Sequence, residues 1–65
     1  MKRRDLIVYL KKEGCAFHRE GARHTVFFNP ENGHLASIPR HREIDIALAR
    51  KICRQLDIPV PQAHA

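Results

Sequence analysis

Sixty-five residues make one domain whose thin core lies between a small sheet and one or two helices, which argues against a deep substrate cavity. Twelve lysines and arginines against seven aspartates and glutamates leave a net charge of +5. Five histidines add to this as pH falls toward their reference value of roughly 6.5. The balance points to an acidic partner, nucleic acid or an acidic protein surface, where a neutral reading would see only a soluble domain.

Leu6, Ile7 and Leu10 recur at helical spacing with Lys2, Arg3, Arg4, Lys11 and Lys12 on the flanks. They predict an amphipathic helix from Lys2 or Arg3 to Glu13. Gly14 follows as the residue that accepts a positive φ just past the helix, and the lysines of the last turn suit the negative end of the helix dipole. Three short strands come next, Cys15 to Arg19, His24 to Phe28 and His34 to Ile38, separated by turns at Glu20-Gly21-Ala22 and Asn29-Pro30-Glu31-Asn32-Gly33. In the first strand Cys15 and Phe17 share a face opposite Ala16 and His18, so Phe17 is the expected core contact. In the second, Phe27 and Phe28 point to opposite faces. Which of them is buried decides where His24 lies, and the pattern leaves both choices open.

Arg40 to Ile44 reads as a polar connector, and Asp45 as an N-cap whose side chain accepts from free amides of the next turn. Leu48, Ile52 and Leu56, with Ala49 and Cys53, form the apolar stripe of a second helix, while Arg50, Lys51 and Arg54 fall largely on its exposed side. Asp57-Ile58-Pro59 ends it. Residues 1–59 are then one αβββα domain of the α+β class, with a three-stranded antiparallel sheet packed by two helices and 60–65 as a loose tail. Cys15 and Cys53 are too far apart for a CxxC redox or zinc half-site and read as structural in a reduced, cytoplasmic chain. No segment approaches the roughly 18 apolar residues of a membrane span.

RNA cleaves itself when a 2′-hydroxyl attacks the adjacent phosphate, so a catalyst needs a proton-transfer group and cations for the developing phosphorane charge. Histidine suits the first task, and arginine, with a fixed charge and a fork matching two phosphate oxygens, suits the second. His24 with Arg19, Arg23 and Arg40 could supply both. Equally, His24 could simply begin an edge strand and hydrogen-bond backbone or water. Arg42, Arg50, Lys51 and Arg54 are candidate phosphate contacts, against the commoner reading of a solvated face. His18, His34, His41 and His64 read as solvated. A zinc site built from Cys15-x-x-His18 with His34 or His41 lacks a second paired ligand motif. Phosphate-cradling glycine loops, nucleophile elbows and paired carboxylates are all missing, and no cofactor is implied. The order αβββα is also that of double-stranded-RNA-binding domains, so binding without cleavage is the alternative function.

The chain resembles the HicA-like (YcfA-like) toxins of type II toxin–antitoxin systems. The resemblance runs from Lys2-Arg3-Arg4-Asp5-Leu6-Ile7 through Gly14, Gly21-x-x-His24-x-x-Phe27, Ile38-Pro39-Arg40-His41-Arg42-Glu43-Ile44 and Ala49-Arg50-Lys51-Ile52 to Ile58-Pro59. It implies a double-stranded-RNA-binding-like fold and a metal-independent mRNA endoribonuclease whose catalytic histidine matches His24. It also implies a HicB-like antitoxin that covers the site, competing with mRNA for one basic surface. Two positions depart from the family pattern. Gly21-Ala22-Arg23-His24 stands where many members have Gly-Ser-His or Gly-Gly-Asn-His, and Asp57 stands where the second helix commonly ends in glycine.

Overall fold

The computed structural model describes residues 1–61 and shows α1 (Arg3–Lys12), β1 (Ala16–Glu20), β2 (His24–Phe28), β3 (Leu35–Pro39) and α2 (Ile46–Gln55). The strands form one antiparallel sheet in the order β1-β2-β3. Both helices pack on the same side of it. Leu6 and Leu10 of α1 and Ala49, Ile52 and Cys53 of α2 form one cluster with Phe27, Ala36 and Ile38. Phe27 faces Ala36 across the sheet and Thr25 faces Ile38, so these four positions mark the helix side. His24, paired with Pro39, and Val26, paired with Ser37, belong to the opposite, open side. The face of His24 is thereby settled: Phe27 is the buried ring of the pair, 2% exposed, and Phe28 is half-buried on the open side.

Glycine and asparagine place the connections. Gly14 has φ +94°, and α1 ends in a Schellman arrangement, with the Cys15 amide donating to the Leu10 carbonyl at 2.9 Å and that of Gly14 to Lys11 at 3.1 Å. α2 ends the same way on an aspartate. Asp57 has φ +58°, and the Ile58 and Asp57 amides donate to Cys53 and Arg54 carbonyls at 3.0 and 3.1 Å. In the second hairpin, buried Asn29 donates from Nδ2 to the Leu56 carbonyl at 2.8 Å and so ties the loop to the end of α2. Residues 1–3 run against 42–44: the Arg3 amide donates to the Arg42 carbonyl at 2.8 Å, and the Ile44 amide to that of Met1 at 2.7 Å.

Two expectations are corrected. Phe17 is not a core residue: it lies on the helix side of edge strand β1 but keeps 53% of its surface exposed, meeting Phe27 edge-on with centroids 6.4 Å apart. The cause is a groove between α1 and β1, lined by Ile7 and Lys11 opposite Phe17, where the helix does not close over the outer strand. Asp45 does occupy the N-cap position of α2, but its side chain makes no capping bond, and the Ala49 amide reaches its backbone carbonyl at 2.9 Å instead. The last four residues, including His64 and most of the expected tail, lie outside the described residues. No helix among the described residues is long and apolar enough to cross a membrane.

Candidate nucleic-acid interface

The turn that carries His24 is tight. Gly21, Ala22 and Arg23 join β1 to β2, and the Gly21 amide donates to the His24 carbonyl at 2.7 Å. A Cβ on Gly21 would stand 3.2 Å from that carbonyl oxygen and 3.7 Å from Nη1 of Arg19. Glycine thus suits this close approach, since a Cβ would have to push the carbonyl back by a few tenths of an ångström, and the guanidinium of Arg19 reaches the turn that holds His24. His24 itself is exposed at the start of β2.

Arg19 arrives on that side because β1 is irregular. Phe17 pairs with Phe27 but Arg19 pairs with Val26, so the register shifts between them. Such a bulge turns a side chain to the other face. Plain alternation from Phe17 would have put Arg19 on the helix side, away from His24. A groove of about 350 Å3 continues from Arg19 and Val26 past Leu35 and Ser37 to Lys51 and Gln55 on α2. Two of the expected phosphate contacts, Arg19 and Lys51, thus line one concavity.

Beneath the turn, on the helix side, lies a polar network absent from the sequence expectations. Arg3 donates from Nη2 to Thr25 Oγ1 at 2.7 Å and from Nε to the Pro39 carbonyl at 3.0 Å. The Thr25 hydroxyl donates to the Glu20 carboxylate, 3.0 Å from Oε2. Glu20 is also paired with Arg40, whose Nη2 donates to the Gly21 carbonyl at 2.7 Å. These contacts hold three neighbours of His24: the residue after it, its cross-strand partner, and the glycine whose amide donates to its carbonyl. Arg40, expected at phosphate, is committed to this brace. In the sequence only Glu20 and Thr25 flank the turn; that Arg40 and Arg3 complete the network depends on strand pairing and on how α1 docks.

The other expected contacts are dispersed. Arg23 is exposed in the turn itself. Arg42 lies with Lys2, Arg3 and Arg4 around a separate concavity of about 520 Å3. On α2, Arg54 is exposed and Arg50 half-buried, and neither lines the Arg19–Lys51 groove. Cys15 packs in the core whereas His18 lies on the open face against Phe28, so sheet geometry separates the first two members of the zinc alternative. Burial pushes the Cys53 thiol up to about 11, with Cys15 and then Glu13 adding to the effect. Burial, then Glu13, also raises Cys15. Both thiols stay protonated near neutrality, which removes them as nucleophiles.

Among known proteins, residues 3–58 match the model of a family described as the HicA toxin of bacterial toxin–antitoxin. No curated protein and no solved structure matches the chain.

Proposed function

Because the chain belongs to the HicA toxin family of bacterial toxin–antitoxin systems, we propose that it is an mRNA endoribonuclease in which His24 moves a proton and Arg19 binds the phosphate. The observation that carries this reading is that the Arg19 guanidinium reaches the Gly21 turn just before His24, on the same open face of the sheet as His24. In the reaction the 2′-oxygen attacks the adjacent phosphorus and loses its proton, an O2′–P bond forms, and the P–O5′ bond breaks as the 5′-oxygen gains a proton. His24 serves either as base toward the 2′-hydroxyl or as acid toward the 5′-oxygen, and the fixed charge of Arg19 opposes the negative charge that builds on the phosphoryl oxygens. Groups already in place give that stabilisation without reorganising. The Arg3–Thr25–Glu20–Arg40 network positions the histidine through the backbone on either side of it.

Lys51 extends the basic surface along the groove, and Arg23 adds charge at the turn before His24. The antitoxin partner that the family implies is, on this reading, a HicB-like protein with an acidic surface, which neutralises the toxin by occupying the same face. The test is incubation of purified protein with labelled mRNA in EDTA beside His24→Ala. Cleavage by the parent and none by the folded variant is expected. Equal cleavage by both would remove His24 from the mechanism, and RNA binding without cleavage by either would make this a binding module.

A further inference from the structure

The end of the open face away from His24 holds an aromatic pair that proton transfer does not use. The ring of His18 meets that of Phe28 with centroids 5.6 Å apart and planes at 64°. His18 is exposed and Phe28 half-buried, and Leu35, directly across from Phe28 on β3, leaves 52% of its surface open. Neither ring belongs to the helix-side core. Flat apolar groups on an uncovered sheet are what an unstacked nucleobase packs against. Charge favours the same ligand. The sole acidic residue in the three strands, Glu20, is held on the helix side by Thr25 and Arg40, while Arg19 stands on the open face between the rings and His24.

Spacing joins the two ends into one track. Four residue steps along β2 separate His24 from Phe28, about 13 Å at the rise of an extended strand. An RNA strand with a phosphate at His24 covers that length within a short run of nucleotides. We infer that His18, Phe28 and Leu35 form a base-stacking subsite for single-stranded RNA, engaging a base near the scissile phosphate. This rests on the reading of His24 as the cleavage site. A duplex keeps its bases stacked on one another and cannot offer a free ring to this platform, so the substrate class is unpaired RNA.

The experiment uses the cleavage-silent His24→Ala protein and a short unstructured RNA, with affinity read by fluorescence anisotropy at fixed salt. Phe28→Leu keeps apolar packing and removes the π-face; His18→Ala removes the second ring. Loss of one base–aromatic contact should weaken binding roughly 5- to 150-fold in either variant. His18→Phe restores a ring and should retain affinity. Thermal melting by circular dichroism confirms that each variant is folded. An abasic nucleotide moved along the RNA should reproduce the loss at one position and add nothing there in Phe28→Leu. Unchanged affinity in both folded variants would overturn the subsite while leaving the role of His24 standing, and so would tighter binding of duplex than of single strand. Failure of folded His24→Ala protein to bind any RNA would overturn the functional reading together with the subsite.

Discussion

Replacing Thr25 by valine tests the brace under His24 with little change in side-chain shape. Thr25 is 5% exposed, and its hydroxyl both accepts from Arg3 at 2.7 Å and donates to Glu20 at 3.0 Å. Two hydrogen bonds to charged groups at full value would total about 3–6 kcal/mol. Much of that is recovered in the variant, because Arg3 keeps the Pro39 carbonyl and Glu20, whose side chain is 47% exposed, keeps Arg40 and gains water. The expected cost is therefore roughly 1–2 kcal/mol, or a fall in Tm of about 4–15 °C for a domain of this size. Calorimetry reads the stability. Single-turnover cleavage reads the positioning, with kcat lowered and RNA affinity unchanged, since Arg19 and Lys51 do not touch the network. Thr25→Ser, which restores the hydroxyl, should return kcat to the parent value. A Tm within about 2 °C of the parent would show that the Thr25 hydroxyl contributes nothing measurable to stability. A lower Tm with unaltered kcat would confine it to stability.

Lys51→Glu should weaken RNA binding and reduce the slope of log affinity against log salt by about 0.7 or more, the value of one lost phosphate contact on a single strand. Arg40→Ala should leave that slope unchanged while lowering kcat, because its guanidinium is bound to Glu20 and Gly21; a reduced slope in titrations of Arg40→Ala would return it to the RNA interface. Asp57→Gly relieves a left-handed aspartate and removes an anion from the negative end of α2, partly offset by the freedom glycine gains on unfolding, and should stabilise by roughly 0.5–1 kcal/mol with no change in cleavage. A lower Tm for Asp57→Gly would mean that its side chain makes a contact worth more than the backbone relief.

The helices and turns were legible because local chemistry decides them. Apolar residues at helical spacing bounded by Gly14 specify α1, and Leu48, Ile52 and Leu56 specify α2 whatever else the chain does. Phe17 departs from its expected place because alternation tells which side of a strand a residue occupies, not whether anything lies over it. On an edge strand beside a groove, the correct side is still half in solvent. Arg40 is a related case. A basic residue grouped with His24 reads as a phosphate contact until the fold shows the carboxylate it meets, and Glu20 is twenty residues away in the chain yet paired with it in space.

The position of Arg19 shows most clearly where pattern ends and tertiary structure begins. Its grouping with His24 was anticipated from charge, yet regular pleating would have set the two on opposite faces of the sheet, with Arg19 beside Phe17. The shift between Phe17 and Arg19 reverses this, at a site where no glycine or proline announces an irregularity. A bulge leaves a residue out of the ladder and weakens pairing locally, so something must favour it. Both ends of the displaced segment offer a reason: Glu20, restored to the helix side, meets Thr25 and Arg40, and Arg19, moved to the open side, lines the groove with Val26 and reaches the Gly21 turn. One inserted residue thus sends an anion to the brace below the histidine and a cation to the face above it. With the register unshifted, the anion would stand on the open face beside His24 and the cation on the helix side, which would remove the charge that the proposed phosphate contact requires.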